Sequence, residues 1–199
     1  TRDDQAETVL LKLARGAGSQ GLSGIAYRSE WKGLPVIHPM RDVTHAEACA
    51  FLKRHGLPWR EDASNRSLQF LRNRVRHEAL PLLEARLNPR IRDSLVRTAE
   101  ILGEENAWMD ALAREQLARR LAGNKPGVLS LENWGQEPLA ARRRMLRLWL
   151  MDQGAPVESI GFDAIERIQR MAESAKGSRS EPLAGGWEAA RLYGALVLK

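Results

Sequence analysis

At 199 residues the chain can hold one large domain or two small ones, and 43% apolar residues supply enough material for a core. An excess of 31 Lys and Arg over 25 Asp and Glu gives a net charge of +6 and a pI near 10.0, which favours an anionic partner: nucleic acid first, a membrane surface second. No apolar run approaches the roughly 20 residues that span a bilayer, the first residues are not signal-like, and a single cysteine, Cys49, excludes a disulfide framework and a multi-cysteine metal cluster.

Asp3 to Arg15 has helical spacing, with Ala6, Val9, Leu10 and Leu13 as its apolar stripe and Gly16 as its end. Asp3, Asp4 and Glu7 crowd the first turn. They either complement the helix dipole or form a carboxylate cluster for a cation, a metal or a substrate amine. Thr1 is not Met and the chain opens straight into this helix, so a piece of something longer is expected. Gly16-Ala17-Gly18-Ser19-Gln20-Gly21 spells G-x-G-x-x-G, but a helix precedes it where a dinucleotide fingerprint needs a strand. Leu34 to His38 predicts one short strand, and Thr44 with Glu47 predicts a capping box on a helix of about a dozen residues that Gly56 terminates.

Trp59 to His77 carries arginines at 60, 66, 72, 74 and 76. Leu68, Leu71, Val75 and Ala79 predict a helix from about Ser67 with one buried stripe, kinked or restarted at Pro81. Arg72 and Arg76, four apart, share a face with Asn73 beside them. They form either a phosphate-sized clamp or a solvated basic face. Trp59, next to Leu57 and Pro58, is expected to pack, with base stacking as the other option. Beyond Asn88-Pro89, the stripe Leu95, Ala99, Leu102, Met109, Leu112 and Leu121 predicts a helix of about 45 Å ending at Gly123. A turn at 124–127, a strand at Val128 to Leu131, and a helix from Pro138 with Arg142, Arg143, Arg144 and Arg147 follow. Phe162, Ile165, Ile168 and Ala172 mark a last helix. After it come a basic loop from Lys176 to Ser180 and a terminal β-segment, Trp187 to Leu198, that should pair with the strand near 128. These patterns give a mainly α chain with a small sheet (α+β), and a reducing, cytoplasmic location as the default. They name no reaction.

Three ordered motifs add a resemblance. Asp3-Asp4-Gln5-Ala6-Glu7-Thr8 resembles the D-D-Q-x-E-T segment of the tRNA(Ile)-lysidine synthetases. Gly56-Leu57-Pro58-Trp59 with Glu61-Asp62-x-Ser64-Asn65 resembles their W-x-E-D-x-S-N segment, and Arg72-Asn73-x-x-Arg76-His77-Glu78 before Leu80-Pro81-Leu82-Leu83 resembles R-N-x-x-R…P-L-L. From Asn88 onward the likeness is one of pattern. The resemblance implies a remnant of an α/β nucleotide-binding domain of the ATP-pyrophosphatase superfamily at 1–78, then a helical tRNA-binding domain with a small terminal sheet at 79–199. It implies an ATP-dependent ligase that adenylates the wobble cytidine of an isoleucine tRNA at C2 and lets the L-lysine amine displace AMP. Carried over residue by residue, it makes Asp3, Asp4 and Glu7 catalytic, with Asp4 as a metal ligand. Arg15, Arg72, Asn73, Arg76, Arg143 and Arg147 become substrate or tRNA contacts, while Asp62 and Asn65 fix the loop beneath. ATP and Mg belong to the intact enzyme, and a homodimer is an option.

The departures matter. The family's S-G-G-x-D-S phosphate loop is not in this sequence, nor is the histidine expected just before Thr1, and His38-Pro39-Met40 replaces the frequent Arg-Pro-Leu. The chain alone is therefore expected to bind no ATP tightly and to be inactive, with its first forty residues loosely held. A tRNA thiolase of the same superfamily would often use paired cysteines, and Cys49 stands alone. A non-enzymatic basic helical module for nucleic acid or protein is the remaining alternative.

Overall fold

The structure, a computed structural model, describes residues 1–31, 33–121, 127–156, 160–174 and 178–199, without the side chain of Arg66. It divides into two compact units, Thr1–Ala107 and Trp108–Lys199.

In the first unit, α1 (Arg2–Ala14) begins at a capping box in which Thr1 and Asp4 each bond the other's backbone N–H. Its buried face holds Gln5, Ala6, Glu7 and Val9, so this helix is anchored, while Leu13 is exposed, contrary to the predicted stripe. A short helix α2 (Ser19–Leu22) follows the glycine loop. The predicted strand is half of a hairpin: β1 (Arg28–Trp31) pairs antiparallel with β2 (Leu34–Ile37). The sequence reading missed β1 because Arg-Ser-Glu-Trp has no apolar alternation, and all four of its residues are exposed. The capping box of α3 (His45–Arg54) forms as predicted between Thr44 and Glu47, and Gly56 takes a positive φ of 64° beyond the helix end.

The helix expected from Ser67 starts at Leu71 and runs on past Pro81 with one widened turn. A 3₁₀ turn (Ala63–Arg66) leads to α4 (Leu71–Arg74), which continues through a π turn (Val75–Ala79) into α5 (Leu80–Arg86). Pro81 explains the widening: it cannot donate to the carbonyl four residues back and its ring crowds that turn. Leu68 and Leu71 are exposed, and only Val75 and Leu80 of this region are buried apolar residues. The long helix is real. α6 (Ile91–Leu121) runs 31 residues, with its first part in this unit, where it buries Val96, Ala99 and Asn106.

The second unit has the larger core. Within it, α6 contributes Ala113 and Leu117, while Leu112, predicted to be in the stripe, is exposed. α7 (Leu139–Asp152), after Pro138 as predicted, is buried at Met145, Leu146, Leu148, Trp149 and Leu150. α8 (Phe162–Glu173) packs on α7 through Ile165, Ile168 and Ala172, but Phe162 itself is exposed. The antiparallel sheet has the order β3 (Leu129–Ser130), β6 (Ala195–Leu198), β5 (Glu188–Leu192), β4 (Arg179–Pro182). The expected pairing of the chain's end with the strand near 128 is therefore present, Leu129 opposite Leu196. The polar strand β4 was read as loop. The turn at 124–126, the helix end at Gly123, and Lys176 and Gly177 of the predicted basic loop lie outside the described residues.

Candidate functional site

The first turns of α1, the start of α3, the loop 59–65, the π turn and Arg92 of α6 surround a pocket of about 480 Å³. Everything lining it belongs to the first unit. The acids of α1 sit on its wall because helical spacing puts Asp3, Asp4 and Glu7 on adjoining faces of one helix end.

Glu7 is fully buried, and its carboxylate is closed by two arginines. Arg72 donates from Nε to Glu7 at 2.9 Å, and Arg76 donates from Nε at 2.6 Å and from an Nη at 3.0 Å. Both arginines also reach Asp4 Oδ1, at 2.9 and 3.2 Å. The four-residue spacing thus brings the guanidinium groups together as predicted, but onto carboxylates rather than a phosphate. Two cations against two anions leave no net charge to clamp an anion, and the phosphate-clamp reading is corrected accordingly.

Burial works against ionisation of Asp4. Hydrogen bonds from the Thr1 hydroxyl and ammonium, together with the charge of Arg72, outweigh it and hold the carboxyl below its ordinary range. Hydrogen bonding to Glu7, with the Asp4 and Asp3 charges, binds the Arg76 proton more tightly than usual despite partial burial. Asp3 is the least neutralised acid of α1. It accepts the His45 backbone N–H at 2.8 Å, and Arg92 approaches it only to 3.9 Å.

The loop beneath is held from behind. Asp62 accepts the Ser64 backbone N–H, and the Asn65 carbonyl lies 2.9 Å from His77 Nε2. Asn73 is 7% exposed and donates both amide hydrogens, to the Ser64 and Ser67 carbonyls at 2.8 Å each. Its side chain is committed to the loop and turned from the pocket. Asn73→Ala is expected to cost about 1–3 kcal/mol, the loss of two hydrogen bonds at about 0.5–1.5 kcal/mol each, and to raise the proteolytic sensitivity of residues 59–67 before that of the second unit. An unchanged urea midpoint would refute this role.

Trp59 is 46% exposed and lines the pocket, which corrects the packing expectation. Sequence reasoning missed Gln5, a buried amide that accepts the Ile25 N–H at 2.6 Å and donates to the Ile25 carbonyl at 3.3 Å. Its signal was a glycine: Gly24 has φ +73°, and a Cβ there would lie 2.4 Å from Gln5 Oε1. Arg15 caps the far end of α1 and is exposed, about 12–18 Å along the axis from the acids by the rise per residue.

The arginines of α7 lie in the second unit, and most are already paired. Arg142 bonds Glu173, Arg143 bonds Glu166, and Arg144 bonds Asp110. Arg147 has a buried Nε without a hydrogen-bond partner, and burial lowers its proton affinity. The expected basic run is thus largely neutralised where it folds. Among the described residues no group of three or more His, Cys, Asp or Glu is gathered to hold a metal ion, and no helix is long and apolar enough to cross a membrane.

Residues 1–83 match the PP-loop domain family (ATP_bind_3), and residues 129–197 match the TilS substrate binding domain. The chain is therefore of the PP-loop class, joined to a substrate-binding domain. A protein of Symbiobacterium thermophilum named tRNA(Ile)-lysidine synthase is 38% identical over 97% of this chain and 42% of its own length. Proteins of the same name from Geobacter sulfurreducens (38% identical; 86% of this chain, 36% of that protein) and Nocardia farcinica (39%; 98% and 58%) agree. The chain belongs to the tRNA(Ile)-lysidine synthase family, and it spans well under two thirds of each of these relatives.

Proposed function

We propose that this chain is the part of a cytoplasmic tRNA-modifying ligase that walls the lysine pocket and helps to bind tRNA. The whole protein uses ATP to join L-lysine to C2 of the wobble cytidine of an isoleucine tRNA. The observation that carries this reading is the charge of the pocket. Among its lining residues stand five carboxylates, Asp3, Asp4, Glu7, Glu61 and Asp62, against the guanidinium groups of Arg60, Arg76 and Arg92. With Arg72, which bonds both Asp4 and Glu7, the acids lead by one once Thr1 is a peptide N–H of the longer protein proposed here rather than the ammonium that bonds Asp4 in this chain. An acid excess attracts an ammonium and repels a triphosphate. Lysine brings two ammonium groups. Of the acids of α1, Asp3 and Asp4 remain partly exposed to meet them, while Glu7 stays closed behind its arginines.

The lining does not fit ATP phosphates, and the acids of α1 do not form a metal site, so no step is assigned here to ATP or to Mg. Asp4 as a metal ligand stays an expectation, since among the described residues no group of three or more His, Cys, Asp or Glu is gathered to hold a metal ion. On this proposal the first 78 residues serve the synthetase site and residues 79–199 serve tRNA. A homodimer would show as a doubled mass in solution.

The chain alone should bind an isoleucine tRNA with an affinity that falls steeply with salt between 50 and 200 mM, roughly in proportion to the phosphates contacted. It should incorporate no lysine. Fluorescence anisotropy with the tRNA and with its anticodon stem-loop tests the first point. No affinity for either at low salt would remove the RNA role and leave the scaffold alternative.

A further inference from the structure

The pairing of charges in the second unit singles out another surface. Arg167 and Arg170 on α8 and Arg179 at the start of β4 line a cleft of about 440 Å³ together with Met171, Ser180 and Glu181. Glu181 is the single carboxylate in that lining, and it pairs with Arg167 at 3.4 Å. Arg179 has no carboxylate partner among the described residues. Arg170 donates to the Glu166 carbonyl and feels the charge of the Glu166 carboxylate one turn earlier on α8, but that carboxylate is bonded to Arg143. Three guanidinium groups against one carboxylate leave an excess of two positive charges, opposite in sign to the acid-rich pocket of the first unit.

Arg179 stands directly opposite Arg191 in the β4–β5 register, but Arg191 lines a separate cleft with Glu132 and Glu173, so of the two only Arg179 belongs to this basic surface.

We propose that Arg167, Arg170 and Arg179 seat the phosphodiester backbone of an RNA stem. The proposal rests on the tRNA reading above and names where the second unit makes that contact. A guanidinium meets a phosphate through two parallel N–H···O bonds, and several along one cleft fix register without reading bases. The neutralised arginines of α7 do not serve this purpose.

The test uses the chain as it is, with an isoleucine tRNA as probe and sodium polyglutamate as the acidic competitor. Arg170→Ala with Arg179→Ala should weaken tRNA binding by about tenfold or more at moderate salt. It should also make the log–log salt slope shallower by about one to two. The melting temperature should hold, because neither substitution removes an ion pair within 4 Å among the described residues. Arg170→Lys with Arg179→Lys should recover part of the affinity and most of the slope. Unchanged affinity and slope in a folded alanine variant, beside a wild-type chain that binds tRNA, would overturn the cleft alone. A wild-type chain that binds no tRNA would overturn the cleft and the RNA role together. Polyglutamate binding as tight as tRNA and equally lost in the variant would assign the cleft to an acidic protein instead.

Discussion

Arg76→Ala should lower the stability of the first unit by about 3 kcal/mol, whereas Glu7→Gln should cost about half as much. Arg76→Ala removes two bonds to Glu7, at 2.6 and 3.0 Å, and one to Asp4 at 3.2 Å, whereas Glu7→Gln keeps one acceptor oxygen for its arginines, so the two leave different groups behind. Without Arg76, a carboxylate with no exposed surface keeps only the Nε of Arg72 as its cation. Without the Glu7 charge, Arg72 and Arg76 are 46% and 31% exposed, so both turn to water and to Asp4 at little cost. Exposure also sets the figure for Arg76 at the low end of the range for a broken buried pair. Removing both arginines should be worse than either alone. Replacing all three groups together by apolar side chains of similar size should return much of the loss, because no buried charge then lacks a partner. Urea unfolding of the chain and its variants reads all of these. If Glu7→Gln proved costlier than Arg76→Ala, the buried carboxylate would not be the element that the arginines serve.

The same cluster shows what a linear chain discloses. Helical spacing placed Arg72 and Arg76 on one face, and the first-turn acids on another helix were equally plain. That the two sets meet is a contact across 65 residues, which no local pattern encodes. Two basic residues four apart therefore pointed to an outside anion when the anion is internal. The α7 arginines repeat the lesson, since Glu166 and Asp110 are 23 and 34 residues away in sequence. The surface that remains basic, Arg167, Arg170 and Arg179, was inconspicuous because its members come from two different elements, α8 and β4.

Legibility of the fold divided along the same line. Caps, breakers and apolar periodicity depend on neighbours within a few residues, and so the Thr44 box, the start of α7 after Pro138 and the length of α6 were readable. Strands β1 and β4 depend on partners. Their residues are polar and largely exposed, and only pairing with β2 and β5 makes them strands. The π turn was foreshadowed by Pro81, but the sequence specified only that the helix must yield there. A kink would have satisfied the proline equally well. A widened turn instead sets Arg76 and His77 on the pocket wall.

In a full-length protein that carries this chain, Asp4→Asn should raise the L-lysine concentration for half-maximal transfer by about ten- to a hundredfold. That is the range for losing one charged hydrogen bond, about 1.5–3 kcal/mol. Asp4 suits this test better than Glu7. Its side chain is 29% exposed against none for Glu7, so a ligand can reach it. Its neutralisation also leaves Arg72 and Arg76 bonded to Glu7, which keeps α1 and the π turn together. The charge of Arg72, which reaches it at 2.9 Å, favours its ionised form, so it can meet an ammonium in the neutral region. The dependence on ATP should shift little, because the acid-rich lining offers nothing to phosphates. Norleucine, which matches lysine in length but lacks the terminal ammonium, should compete poorly with lysine in the wild type and lose this disadvantage in Asp4→Asn. An unchanged lysine requirement with a lower maximal rate would place Asp4 in the scaffold rather than at the substrate, and the acid excess of the pocket would then need another occupant.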